Sequence, residues 1–292
     1  MWDLLPSGAT LGGAPLNFAV HARRLGYWPL LISAVGADQR GRDAVRAVRQ
    51  LTLESEMLQT TPLWPTGTAT VHLDGDGQPT FTIHRPAAYD AVVLTAPLIA
   101  QLQQLRPAWV YFGTLFSCTP EGLATLTRFL DALPRAQRFY DVNLRPGFEP
   151  PALVLDLLGR ATVLKLNEAE VTNVSRISGL PQGFEDFCRE GAARFGWSTV
   201  CVTLGARGCA IWRGGEYVVA SGYHVAVADS VGAGDAFAAA FLHGLSSGWP
   251  TRQVADFANR VGAIVASRVG ATPDWNLAEA TQMYPGGDPV AL

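Results

Sequence analysis

The feature that most restricts the fold is an alternation that begins at Leu94. Helix-patterned stretches at 96–105, 121–133, 152–158 and 185–195 take turns with short apolar runs at 109–113, 138–142, 163–166 and 199–203. Parallel strands need long crossover connections, and helices in those crossovers cover both faces of the sheet. The pattern predicts an α/β fold: a doubly wound, mostly parallel sheet sandwiched by helices. The N-terminal part joins the same pattern, with a Gly12-Gly13 turn, an early proline and an amphipathic run closing at Gly26. An apolar strand over 29–35 and a helix over 40–51 follow. Two interruptions are hairpin signals. Runs at 69–73 and 80–84 flank Asp74-Gly75-Asp76-Gly77, and a second hairpin over 210–219 turns at Gly214-Gly215. The first predicts a small β appendage over about 57–90, serving as a lid, a dimer surface or both. Helices from Ala236 and Gln253 close the chain, and 1–292 reads as one domain with the lid inserted.

Composition narrows the partners. The net charge is −3 and only 16% of residues are charged, so no basic field suggests nucleic acid and a small molecule is the expected ligand. Of 22 basic residues one is lysine, Lys165, which makes that position unusual. Cys118, Cys188, Cys201 and Cys209 form no C-x-x-C pair, which predicts reduced thiols in a cytoplasmic protein. No apolar run reaches about 18 residues, and no charged-then-apolar leader opens the chain, so no membrane partner is expected.

The chemistry concentrates at Asp229-Ser230-Val231-Gly232-Ala233-Gly234-Asp235-Ala236-Phe237. Small residues form a turn that opens a run of helix formers. The first N–H groups of such a helix lack intrahelical partners, and the helix dipole favours negative charge there, so an anion is held close to the backbone. Asp235 reads as a general base beside that anion, or more plainly as a first-turn partner of the dipole.

Ligands of doubly wound sheets bind beyond the carboxyl ends of the strands. Three other strand ends are polar: Asp141-Val142-Asn143-Leu144-Arg145, Lys165-Leu166-Asn167-Glu168-Ala169-Glu170 and Thr203-Leu204-Gly205-Ala206-Arg207-Gly208. Each also has an ordinary reading as a cap and turn. No G-x-x-x-x-G-K-[ST] is present and no G-x-G-x-x-G follows a first strand, which counts against P-loop and dinucleotide enzymes. The five histidines show no metal-ligand spacing.

The Asp229 to Phe237 stretch closely resembles the C-terminal signature of the ribokinase/PfkB-like carbohydrate kinases. Gly12-Gly13-Ala14-Pro15-Leu16-Asn17 and Gly36-Ala37-Asp38-Gln39-Arg40-Gly41 resemble the N-terminal one. Asn167-Glu168-Ala169-Glu170 is similar to the family's N-x-x-E motif. Trp2-Asp3-Leu4-Leu5-Pro6 and Pro65-Thr66-Gly67-Thr68 are most similar to bacterial fructokinases within it. The resemblance implies a ribokinase-like fold and transfer of the ATP γ-phosphoryl group to a sugar hydroxyl. It makes Asp235 the base, with Gly232, Ala233 and Gly234 forming the anion hole. Asp3, Gly13, Asn17, Arg85 and Asn143 would bind the sugar, with Asp235. Lys165, Asn167, Thr203, Gly205, Gly208, Gly234 and Asn259 would bind the nucleotide. Glu170 would hold Mg²⁺ through water, and Asp229 marks a K⁺ site. Fructose is the first expected acceptor, with 2-keto-3-deoxygluconate or another sugar as alternatives, and a homodimer through the lid is implied. A non-catalytic sugar-binding relative is the reading from a different class. One departure stands out: relatives carry an apolar strand and a Gly-Glu pair ahead of the segment that begins here at Trp2, so a first strand is expected to be missing from the sheet.

Overall fold

Strands buried on both faces must be apolar on both faces, and the runs of the C-terminal half meet that condition. The computed structural model describes residues 1–5, 8–73, 79–145 and 147–282. The chain begins with β1 (Trp2–Leu5) and β2 (Gly8–Leu11). It continues through α1 (Ala14–Arg24), β3 (Ser33–Gly36), α2 (Gln39–Gln50) and β4 (Leu58–Thr61). The hairpin of β5 (Thr68–Leu73) and β6 (Pro79–His84) leads to α3 (Ala96–Leu105), β7 (Trp109–Gly113), α4 (Pro120–Ala132) and β8 (Gln137–Asp141). Then come α5 (Pro151–Arg160), β9 (Val163–Asn167), α6 (Glu168–Ser178), α7 (Phe184–Phe195) and β10 (Thr199–Thr203). The chain ends with β11 (Cys209–Arg213), β12 (Glu216–Ala220), α8 (Ala233–Ser246), α9 (Thr251–Ala266) and α10 (Leu277–Gln282).

The main sheet runs β12-β11-β10-β9-β8-β7, parallel from β7 to β10 and antiparallel beyond. Alternate residues feed two cores, as the period of two requires. Val110, Phe112, Tyr140, Leu164 and Leu166 pack with Leu126, Leu130, Leu157, Val174 and Phe187 of α4 to α7. Phe139, Val163 and Cys201 pack on the other face with Phe18, Phe237, Phe241, Val254 and Val261 of α1, α8 and α9. Ala236, Ala238, Ala239 and Ala240 of α8 are fully enclosed, and Gly244 lets α9 close on it, since a Cβ there would lie 2.9 Å from Val254 Cγ2.

The appendage expected as a lid is a four-stranded sheet, β2-β1-β5-β6. Its turn at 74–77 lies outside the described residues. Trp2–Leu5 carries no strand alternation and becomes one through its partners, pairing antiparallel with β2 and parallel with β5. The predicted lid range of 57–90 is too wide at its start, because β4 pairs with β3 in a separate two-stranded parallel sheet. The predicted strand over 29–35 shortens to Ser33–Gly36. Among the described residues β3 pairs only with β4 and β7 only with β8, so each keeps one open edge. Asp38 joins the parts: it caps α2 by accepting from Gly41 N at 2.7 Å and accepts Thr66 N, at the base of the lid, at 2.8 Å.

His21 of α1 fastens the loop after α9. Its Nδ1 accepts the Trp275 indole N–H at 3.0 Å, so the proton sits on Nε2 and is donated to the Ala271 carbonyl at 3.0 Å. Burial holds its pKa down at about 4, against a usual 6.5. Between those values the unfolded chain binds a proton that the folded chain refuses, so stability falls as pH drops through this window and is flat above it. The gap is worth on the order of 3 kcal/mol. Urea unfolding at pH 7.5, 5.5 and 4.5 is expected to show this loss, and His21→Gln is expected to flatten it. An unchanged slope in the variant would assign the loss to other groups.

Candidate active site

Helix α8 begins where it does because Gly232 takes φ +80°, a left-handed conformation. The position admits no side chain, since a Cβ would lie 2.3 Å from the Ala271 carbonyl oxygen. The loop that His21 fastens is thus the wall against which this turn is built. Ala236 N is the first to close a full turn, on Gly232 O at 2.9 Å, and the N–H groups of Gly234 and Asp235 make no hydrogen bond among the described residues. These are the free donors a helix N-terminus offers an anion.

Asp235 lies in the first turn, and its Oδ2 accepts the Asn17 amide at 2.8 Å. Burial raises its pKa to about 7, with Asp141 adding to the rise, while the Asn17 hydrogen bond, Lys165 and Arg145 oppose it. A carboxylate tuned to neutral pH suits proton abstraction. Asn17 is 3% exposed and its Oδ1 has no partner among the described residues, leaving an acceptor for a hydroxyl at this site.

Below Asp235, at the end of β8, both oxygens of Asp141 accept Lys165 Nζ at 2.9 Å, and Tyr111 OH donates to Oδ2 at 3.0 Å. Burial alone would lower the Lys165 pKa, but Asp141 outweighs it and keeps the lysine charged. Asn143 sits at φ +40° and accepts Arg145 Nη1 at 2.6 Å. Asp3, on the lid strand β1, packs its carboxylate on Gly12, where a Cβ would fall 2.4 Å from Oδ2. Its pKa is raised by burial, against the pull of the chain amine and Arg145.

A cavity of about 990 Å³ gathers Asp3, Gly13, Asn17, Asn143, Gly232, Gly234 and Asp235 on its lining. It also holds Asp141, Arg145 and Tyr111, which the sequence reading did not assign to the site although the strand-end acid and arginine were visible in it. The remaining candidates lie off this lining. Arg85 is tied to Asp90, to Cys118 and, at 2.7 Å, to the Leu115 carbonyl, so it braces the foot of the lid instead of facing the cavity. Lys165 is occupied by Asp141. Asn167 caps α6 by accepting Glu170 N at 2.9 Å, and Glu170 returns Oε2 to Asn167 N and Oε1 to Leu144 N, each at 2.8 Å. Thr203 ends β10 ahead of the short turn Gly205–Arg207, and Gly208 (φ +102°) has the Ala220 carbonyl against it. Asn259 donates to the Ser221 carbonyl at 3.1 Å, and Asp229 accepts Val231 N and Gly270 N at 2.9 and 3.0 Å. No three His, Cys, Asp or Glu side chains cluster as a metal cage among the described residues.

Residues 8–277 match the family described as pfkB family carbohydrate kinase. The chain belongs to that family. As a PfkB-family carbohydrate kinase it is an ATP-dependent sugar kinase with a ribokinase-like fold. It is 34% identical to a fructokinase of Escherichia coli, over 92% of this chain and 91% of the relative. The fold is similar to the fructokinase of Vibrio cholerae O395 solved in a fructose, ADP and calcium ion bound form. There the TM-score is 0.81 and the identity 24%, with 96% of this chain and 94% of the other covered. The 2-dehydro-3-deoxygluconokinase of Thermotoga maritima superposes with a TM-score of 0.84 at 18% identity, covering 96% and 95%.

The Asp235 pKa predicts the acid limb of this PfkB kinase. A base at Asp235 would work deprotonated, so kcat/KM is expected to fall about tenfold per pH unit below about 7. Asn17→Ala removes a hydrogen bond that lowers that pKa, so the limb should move to higher pH. A pH-rate series on both proteins, with circular dichroism as the folding check, tests this; a limb that stays in place would take Asp235 out of the base role.

Proposed function

We propose that this kinase phosphorylates fructose. The observation that carries the reading is Asp235, poised near neutrality beside two free backbone donors at a helix N-terminus, with Asn17 presenting an unpaired acceptor within the same cavity. The 34% identical fructokinase of Escherichia coli supports fructose as the acceptor. In the proposed reaction the sugar hydroxyl gives its proton to Asp235 as its oxygen attacks the γ-phosphorus. The bond from that phosphorus to the bridging oxygen breaks, giving sugar phosphate and ADP. The Gly232, Ala233 and Gly234 turn faces the negative charge of the transferring group, where fixed dipoles count most. Asp3, Gly13, Asn17 and Asn143 orient the sugar. Arg85 serves the sugar indirectly, by holding the lid.

The nucleotide is assigned to Asn167, Thr203, Gly205, Gly208, Gly234 and Asn259, with Lys165 supplying charge from below. Glu170 fits an Mg²⁺ ion held through water: both its oxygens are engaged by backbone N–H groups yet keep lone pairs, and Mg²⁺ retains several waters. Such an ion supplies charge neutralisation between the phosphates. Asp229, bridging the 229–231 turn and Gly270, is the proposed K⁺ position. A homodimer through the lid and a cytoplasmic location complete the proposal, the latter supported by four free cysteines.

A second reading has its own support. Arg145 lines the cavity and makes no ion pair among the described residues, so a sugar acid such as 2-keto-3-deoxygluconate would find a partner for its carboxylate. ADP release from Mg-ATP with fructose, 2-keto-3-deoxygluconate, ribose, glucose and adenosine decides between them. Fructose is expected to be preferred, and Asp235→Asn to lose roughly 10²- to 10⁴-fold in kcat while staying folded. Preference for the sugar acid, abolished by Arg145→Met, would replace fructose. Turnover with none would favour a binding protein. Shortening the β5–β6 hairpin is expected to raise sugar-independent ADP release or weaken sugar binding, because the lid excludes water; no change in either would leave the lid a dimer contact alone.

A further inference from the structure

The sheet β2-β1-β5-β6 joins the body of the protein through two stems, 65–67 entering β5 and 85–90 leaving β6, and a carboxylate grips each. At the entering stem Asp38 Oδ2 accepts Thr66 N at 2.8 Å, and Oδ1 accepts both Thr66 Oγ1 and Gly41 N at 2.7 Å. Thr66 Oγ1 in turn accepts Gly36 N at 2.9 Å, and Thr66 is buried. The approach leaves no room for a side chain at Gly36, where a Cβ would lie 2.6 Å from Thr66 N. Burial would raise the Asp38 pKa, yet the bonds from Thr66 and Gly41 outweigh it and hold the carboxyl below its ordinary value. At the leaving stem Asp90 Oδ2 accepts Ala87 N at 3.0 Å and Arg85 Nε at 3.2 Å, and Arg85 continues to the Leu115 carbonyl. Ala88 N donates to the Pro65 carbonyl at 2.8 Å, so the stems are also tied to each other.

These bonds lie between two groups of polar residues that line one end of the cavity. Helix α2, which Asp38 caps, packs on α1 through Val48, Leu16, Ala19 and Val20, and α1 carries Asn17, bonded to Asp235. Beyond Thr66, β5 pairs with β1 so that Ala69 lies beside Asp3. Asp3 therefore reaches the cavity on the appended sheet, whereas Asn17 and Asp235 reach it from the body. Hydrogen bonds to a carboxylate are roughly twice as strong as neutral ones, so each stem is held firmly at one point, and short stems are where a hinge absorbs its change of backbone angle.

We propose that Asp38 and Asp90 are positioning residues for the phosphoryl acceptor: they hold the two stems at the angle that brings Asp3 over Asn17 and Asp235. This rests on the reading of Asp3 as a sugar contact. Neither carboxylate touches the reacting atoms. What they set is the fraction of molecules in which the two sides of the acceptor site face each other. Apparent affinity for the acceptor falls with that fraction, while a molecule that has closed reacts as before. A purely structural role would instead lower kcat or weaken the nucleotide as well.

Steady-state kinetics with Mg-ATP, run on whichever of fructose and 2-keto-3-deoxygluconate the protein turns over faster, reads that fraction. Thr66→Val removes the hydroxyl shared by Asp38 and Gly36 while keeping the shape of the side chain. It is expected to raise KM for the sugar about tenfold and to change kcat and KM for ATP by less than about twofold. Thr66→Ser is expected to keep KM near that of the unaltered protein. Asp38→Asn and Asp90→Asn should act in the same direction where they fold, and Asp43→Asn, on the same helix as the Asp38 cap, should change nothing. Asp3→Asn is expected to raise KM by itself, and adding Thr66→Val to it should raise KM little further, because the stems act through Asp3. An unchanged KM in Thr66→Val, an equal rise in KM for ATP, the same loss in Thr66→Ser, or full additivity with Asp3→Asn would each overturn the proposal while leaving the sugar role of Asp3 standing. Asp3→Asn without effect on KM would overturn that role, and the proposal with it.

Discussion

Buried Asp141 and half-buried Asp235 lie about a single lysine, and the character of the site follows from how that charge is divided. Lys165 places its ammonium on both oxygens of Asp141, and Tyr111 adds a third donor to the same acid. Asp235 is left with the neutral amide of Asn17. The pair satisfied by a full cation is a stable anchor; the acid satisfied by an amide is desolvated, faces a second negative charge and holds its proton to about pH 7. The same environment thus gives two neighbouring carboxylates different protonation behaviour, the separation that the proposed base role of Asp235 requires. Charge on Asp141 is itself part of the tuning, so Asp141 and Asp235 are energetically one unit.

The turn that opens α8, the proposed anion hole, depends on a chain of contacts that starts far away in sequence. Gly232 can turn only because it has no side chain, and what it turns against is the Ala271 peptide. Ala271 is held by His21, His21 by Trp275, and Arg24 of the same helix reaches the Thr272 carbonyl at 2.9 Å. Helix α1 therefore supplies Asn17 to Asp235 from one turn and fixes the wall behind Gly232 from the next. A small rotation of α1 would disturb both, which is why an imidazole locked in one tautomer is better suited here than a flexible chain.

The alternation of strand and helix was legible because it is local: each apolar run of β7 to β10 states its own burial. The Asp235 turn was legible for the same reason, being nine residues of backbone chemistry. Illegible were the features made by partners distant in sequence. Trp2–Leu5 has no pattern of its own and is a strand because Thr68, Ala69 and Thr70 lie beside it. Leu58–Thr61 looked like part of the lid and instead pairs with β3. Arg85 was assigned to the sugar by resemblance, but no spacing reveals that Asp90, five residues on, turns back through a short helical turn to engage it. Asp141 and Arg145 were visible as strand-end polar residues, but the cavity joining them to Asp235 is a product of the whole sheet.

The chain's only lysine carries a consequence for handling the protein. Lys165 is 7% exposed and bonded to Asp141, and the Met1 amine is enclosed, while the rest of the basic surface is arginine. Among the described residues no primary amine is presented to solvent. Reagents that acylate or cross-link amines have no ordinary surface target here, and neither do enzymes that conjugate other proteins to lysine. An amine that did react would report that the floor of the cavity had opened.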